Sequence, residues 1–212
     1  MCAVPILYAT TEGQTRRIAE RIADQIRKHG LESRAIAVVS DEAAHLEWEH
    51  VVGAALGASL HLQKHQAEAV AFARVHGKEL SAVPSLFFSV SLSAASQRPE
   101  EVEAARRIAR EFAMETAWEP SRIVSVAGML AYRQYNWLVR LILRYIAWKE
   151  GASTDTSRDH EYTDWAQVER LADDLAYQIR RREIFPRGEE SFALSLQEHS
   201  EITEQHRRQH AA

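Results

Sequence analysis

Apolar residues recur along this chain in two alternating rhythms. Short, nearly continuous apolar runs fall at 4–9, 33–39, 50–57, 85–90 and 122–127. Between and after them lie stretches of helix length, 14–29, 66–75, 100–115 and 164–181, where apolar positions return every three or four residues. Ile18, Ile22 and Ile26, with Ala19 and Ala23 beside them, show that period most clearly. Continuous apolar runs suit strands covered on both faces, and the helical period suits the elements that cover them. The alternation predicts an α/β fold, with helices on both faces of a parallel sheet and right-handed crossovers between strands. Strands of this kind suit a three-layer sandwich with a five-stranded parallel sheet in the order 2-1-3-4-5, whose switch point lies between strands 1 and 3. Ligands in such sheets bind beyond the carboxyl ends of the strands, so the loops that begin at Ala9, Gly57, Val90 and Ala127 matter most.

Two stretches stand outside the alternation. One is an insertion at about residues 130–162; the other is a polar tail, 183–212, too charged to build a core. Residues 1–182 are expected to form one domain that carries the insertion. From Leu130 through Lys149 there is no acidic residue, while Arg133, Arg140 and Arg144 supply positive charge. At helical spacing Asn136, Arg140 and Arg144 share one face, and Leu138, Leu141, Ile142, Tyr145 and Ile146 share another, with Trp137 and Trp148 near the ends. Cationic residues opposite an aliphatic face with flanking tryptophans describe an interfacial helix, too short and charged to span a bilayer. The alternative is a helix packed on the sheet with solvated arginines.

Composition narrows the picture. The chain has 212 residues, and 26 Lys and Arg against 30 Asp and Glu give a net charge of -4, which argues against a nucleic-acid partner. The one cysteine, Cys2, forms no internal disulfide and fits a reducing compartment. The start of the chain has neither a basic region nor a long apolar core, so a cytoplasmic protein without a signal peptide is expected.

The richest chemistry lies in Thr10-Thr11-Glu12-Gly13-Gln14-Thr15, directly after the first apolar run and before the first helical pattern. A buried strand that turns through hydroxyls and a glycine into a helix builds an anion site from backbone N–H groups, the helix dipole and the hydroxyls of Thr10 and Thr15. The loop has no lysine and one glycine, so it is neither a Walker loop nor a dinucleotide fingerprint. A plainly capped helix is the alternative. His61 and His65 stand at helical spacing but have no acid or cysteine to complete a metal site, and no metal is expected. Thr163 before Asp164 and Trp165 reads as the cap of the last helix.

In chain order these motifs are Gly13-Gln14-Thr15-Arg16, Leu56-Gly57-Ala58-Ser59, Pro84-Ser85 with Ser89-Val90, Ala127-Gly128, Tyr132 with Tyr135 and Trp137, Thr154-Asp155-Thr156, and Tyr162-Thr163-Asp164-Trp165. The ordered set resembles the flavodoxin-type, quinone-dependent protoporphyrinogen IX dehydrogenases. The resemblance implies a flavodoxin-like fold and FMN-dependent oxidation of protoporphyrinogen IX to protoporphyrin IX. It further implies a membrane quinone as electron acceptor, a place in haem biosynthesis, and peripheral attachment to the inner leaflet of the cytoplasmic membrane. It places the FMN phosphate on Thr10 and Thr15 with the amides of Thr11, Glu12, Gly13 and Gln14. Ser59, Leu60 and His61 then border the flavin ring on one side, and Ser91, Leu92, Ser93 and Ala94 on another. Arg133, Trp137, Arg140 and Arg144 are implied contacts to the porphyrinogen or the membrane. The family usually carries an aromatic residue where Leu62 stands, glycine where Gln63 stands and asparagine where Ser91 stands. Glu12 is expected to point to water at the helix start. No side chain has a firm acid–base signature, so no catalytic residue is assigned, and a homo-oligomer is left open. The competing readings are an electron-carrier flavodoxin, an FMN-dependent quinone reductase without porphyrin specificity, and a scaffold that has lost FMN.

Overall fold

The computed structural model describes residues 3–61, 63–130 and 160–184. The chain divides into two compact units, 1–176 and 177–212. Strands β1 (Ala3–Ala9), β2 (Glu32–Ala37), β3 (Ala54–His61), β5 (Ser85–Ser91) and β6 (Arg122–Ala127) lie parallel in the order β2-β1-β3-β5-β6. Counted as parallel strands alone, this is the expected 2-1-3-4-5. The added strand β4 (Lys64–His65) folds back antiparallel on β3, pairing Leu60 with His65 and His61 with Lys64.

The helices are α1 (Gln14–Lys28), α2 (Asp41–Ala44), α3 (Ala67–Ala82), α4 (Pro99–Thr116) and α5 (Trp165–Ile184). On one sheet face Leu7, Leu56 and Phe87 pack with Phe72, Ala73 and Leu80 of α3 and with Ala109 and Phe112 of α4. On the other, α1 buries Ile18, Ile22 and Ile26 completely, each worth about 1.5–3 kcal/mol. There α1 meets α5 through Arg21 and Glu169 at 2.5 Å and through Gln25 and His29, both on Asp173, at 2.8 and 2.7 Å.

Three elements depart from the hydrophobic pattern. The third strand begins and ends later than the run 50–57. Trp48–His50 is a short 3-10 turn, whereas Ser59 and His61, polar in sequence, still belong to β3. Their polarity follows from facing a cleft instead of the core. Helix α3 continues past Gly77 because Leu80 remains fully buried, with a break in regular helical geometry at His76 (φ -108, ψ 17). A short helix, α2, was invisible to periodicity; Ser40 starts it by accepting the Ala43 N–H at 3.2 Å.

The β3–β4 turn holds Gln63 at φ +62. The resemblance leads one to expect glycine there, and this conformation is strained for a residue with a Cβ. Gln63→Gly should stabilise the protein by about 0.5–1 kcal/mol, a rise in Tm of roughly 1–4 °C. A melt of the two proteins checks it; an unchanged or lower Tm refutes the strain.

At the carboxyl end of β6, strands β7 (Met129–Leu130) and β8 (His160–Glu161) pair antiparallel and form the stem from which the insertion leaves the fold. The rest of the insertion, with Arg133, Trp137, Arg140, Arg144 and Thr154-Asp155-Thr156, lies outside the described residues, as does the tail from residue 185. Among the described residues no helix is long and apolar enough to cross a membrane.

Candidate functional site

The carboxyl ends of β1, β3 and β5 enclose a cleft of about 430 Å³ at the switch point. Thr10, Glu12, Gln14 and Thr15 form one wall, and Ser59, Leu60, His61 and Gln63 a second. Val90, Ser91, Leu92 and Ser93 with Gly128 form a third, and Glu101, Ala104, Ala105 and Ile108 of α4 close the cleft.

The first wall is built by a tight backbone turn. Gly13 takes φ +88, a conformation that glycine adopts without strain, and its N–H donates to Thr10 Oγ1 at 2.9 Å. A hydroxyl oxygen that accepts this bond keeps its own proton for another acceptor. Among the described residues no side chain caps α1, so its first N–H groups are left for a ligand at the positive end of the helix dipole. Thr15 is fully buried beside them, and its Oγ1 has no partner among the described residues. An unpaired buried hydroxyl costs about 1–3 kcal/mol. Hydroxyl donors and helix-start amides gathered round one point suit a tetrahedral oxyanion such as a phosphate monoester.

The other loop residues divide their roles. The Gln14 side chain, only 4% exposed, is engaged away from any anion. Its Nε2 donates to Thr163 Oγ1 at 2.8 Å and Glu161 Oε1 at 3.0 Å, and its Oε1 accepts from Arg17 Nη1 at 2.9 Å. Gln14 thereby clasps the start of α1 to the stem of the insertion and offers a ligand its main chain. Thr163 Oγ1 donates in turn to the Ala127 carbonyl at 2.8 Å. That corrects the expected cap: Asp164 accepts the Gln167 N–H at 3.0 Å and starts α5, because the Thr163 hydroxyl is already committed. Glu12, expected to face water, is half-buried and borders the cleft, since the turn at Gly13 folds residue 12 over the helix end. Thr11 and Gly13 do not line the cleft; Thr11 is exposed, its Oγ1 accepting from Gln66 Nε2 at 3.4 Å. Ala94 is also off the wall; its N–H donates to Ser91 Oγ at 3.2 Å and turns the chain aside.

His61 and His65 occupy opposite strands of a hairpin, so the helical spacing read from the sequence does not exist. His61 borders the cleft. His65 turns inward, its Nε2 2.9 Å from Ser89 Oγ and its ring against the edges of Phe87 and Phe112 at 5.4 and 5.0 Å. Burial pushes its pKa down to about 4. The unfolded chain binds a proton near pH 6.5, so it holds more protons than the fold between these two values. Stability contributed by neutral His65 is complete above about pH 6.5 and is lost as pH falls toward 4, by up to about 3 kcal/mol. Melting at pH 7.5 and pH 5 (about one unit above and within the window) should show a larger fall for the wild type than for His65→Gln. Equal falls would refute the assignment.

Sequence reasoning missed the fourth wall. The sequence predicts a helix over 100–115 but assigns none of its faces to a ligand, although the small residues Ala104 and Ala105 were a usable signal. Gln63, Val90 and Gly128 stand in stretches that the sequence marked without assigning them to the site, whereas Glu101, in the first turn of α4, carried no mark at all.

The flavodoxin domain family matches residues 5–157. The chain is 33% identical over 173 residues to the protoporphyrinogen IX dehydrogenase (quinone) of Escherichia coli (strain K12), a match that covers 81% of this chain and 93% of that one. It is 32% identical over 173 residues to the protein of the same name from Leishmania major, covering 81% and 73%. Among solved structures, a cysteine-to-serine mutant of flavodoxin from Pseudomonas aeruginosa superimposes with a TM-score of 0.50 at 10% identity, over 84% of this chain and 99% of that one, and shows the same fold. A flavin is the cofactor that this domain indicates. With its parallel sheet, its anion-ready first loop and relatives that match it along most of its length, the chain belongs to the flavodoxin-type family of quinone-dependent protoporphyrinogen IX dehydrogenases.

Proposed function

We propose that this protein oxidises protoporphyrinogen IX to protoporphyrin IX, with FMN as its flavin and a membrane quinone as electron acceptor, in haem biosynthesis. The observation that carries the FMN assignment is Thr15 Oγ1, buried at the start of α1 and, among the described residues, without a partner there. A phosphate there would take up the orphan hydroxyl and the free amides together. When bound, FMN supplies the two-electron chemistry between substrate and acceptor, and the protein supplies position and access.

The chain's own residues divide that work. Thr10 and Thr15 hold the phosphate with the amides of residues 11, 12, 14 and 15, the Gly13 N–H being taken by Thr10 Oγ1. Ser59, Leu60 and His61 on one side and Ser91, Leu92 and Ser93 on the other border the ring. Ala104, Ala105 and Ile108 offer it an apolar wall that excludes water. The stem β7–β8 roots the insertion beside this cleft, because Tyr162 N–H donates to the Gly128 carbonyl at 3.2 Å and Gly128 lines the wall. Arg133, Arg140 and Arg144 are assigned to propionates or anionic lipid, and Trp137 to the membrane interface at the inner face of the cell membrane. The domain is read as residues 1–182, with the rest a tail.

Anaerobic mixing of the yellow holoprotein with protoporphyrinogen IX tests the reading. Rapid bleaching by that substrate, and none by reduced nicotinamide nucleotides, is expected. The reverse pattern would make it a nucleotide-driven quinone reductase.

A further inference from the structure

We propose that Gln66 is a positioning residue that locks the anion loop to the end of β3 and so sets the protein's preference for a phosphorylated flavin over its phosphate-free form. The inference rests on the FMN reading above. Gln66 stands immediately before α3, where its side chain does not cap the helix. Its Nε2 instead donates to two hydroxyls from different walls of the fold, Ser59 Oγ at the end of β3 and Thr11 Oγ1 at 3.4 Å in the loop after β1. Its Oε1 is buried without a partner among the described residues. The amide is therefore held by its donors alone.

Direction matters here. Each hydroxyl oxygen that accepts from Gln66 must send its own proton elsewhere. Ser59 lines the cleft, so its proton is available to a ligand there. The opposite amide orientation would draw both hydroxyl protons toward Gln66 and away from an anion. The side chain's base is held on both sides. His65, one residue before it, is fastened to Ser89, and the Gln66 carbonyl accepts the Ala69 and Val70 N–H groups at 3.1 and 3.2 Å. A fixed backbone with one amide across two chain ends restrains Thr11, and through it the turn that presents Thr10, Gly13 and the start of α1. An anion site depends on such restraint because its donors act in concert only when preorganised.

The test uses the full-length chain freed of flavin and titrated with FMN and with riboflavin, in the wild type, Gln66→Leu and Gln66→Glu. The melting temperature of each flavin-free protein is measured alongside. Gln66→Leu should weaken FMN by about tenfold and riboflavin by less than about twofold. Its flavin-free Tm should hold or rise, since the orphan carbonyl is gone. Gln66→Glu keeps the shape, reverses both hydrogen bonds and adds charge, so its loss for FMN should be larger. An equal loss of both flavins, or an unchanged ratio, would show that Gln66 merely packs the hairpin and would overturn the proposal. A wild type without preference for FMN would overturn the phosphate placement along with it. A wild-type preference that survives in both variants would sink this inference alone.

Discussion

Thr15→Val should weaken FMN binding by one to two orders of magnitude and leave the flavin-free protein as stable as before, or more so. The two halves have one cause. Thr15 Oγ1 is buried and has no partner among the described residues, so the flavin-free fold carries the desolvation cost of a hydroxyl and gains no hydrogen bond from it. Valine has nearly the same shape without that cost. With phosphate present the hydroxyl would donate to a charged oxygen, a bond worth about 1.5–3 kcal/mol, or roughly 10- to 150-fold in affinity. Fluorescence titration gives the affinity and a melt of the flavin-free protein gives the stability. Valine that binds FMN like the wild type, or that melts several degrees lower without flavin, would show that Thr15 is a structural hydroxyl.

Gly57→Ala should cost about 3 kcal/mol of stability, a fall in Tm of roughly 6–12 °C, although alanine is neither large nor polar. Gly57 sits in β3 opposite Phe88 of β5, and a Cβ built on it lies 2.1 Å from ring atoms Cε2 and Cζ of Phe88. Phe88 is completely buried, so the ring has no solvent to swing into and the sheet itself must give. β3 carries Ser59, Leu60 and His61 beyond this point, so flavin affinity should fall with it. The clash is with one side chain, which offers a direct check: Gly57→Ala combined with Phe88→Leu should recover much of what Gly57→Ala alone loses. Strict additivity of the two losses would mean that the ring is not what alanine meets.

These expectations draw on different kinds of information. Isoleucines repeating at helical spacing placed α1, and continuous apolar runs placed β1, β5 and β6, because burial on a regular backbone leaves a period in the sequence. The same logic misplaced β3. Its carboxyl end is polar, and periodicity reads a strand that leaves the core for a ligand site as a loop. The hairpin strand β4 failed for a related reason. It is held by its pairing with β3 and by the part-buried contact of His65 with Ser89, and His65 and His61 looked instead like neighbours on a helix.

The layers, the strand order and the place where a cleft opens, at the switch point, all followed from local pattern together with handedness rules that hold for any chain. The family was equally accessible, because its motifs are short and ordered. The roles inside the loop were not. Thr15 and Gln14 are adjacent, and in sequence both are plausible donors to an anion. The folded chain brings Thr163, which is 149 residues from Gln14, within 2.8 Å and takes that side chain away, while none of the described residues meets the Thr15 hydroxyl. Which polar group is paired and which waits for a ligand depends on what stands opposite it in space, and that neighbour comes from a distant part of the chain.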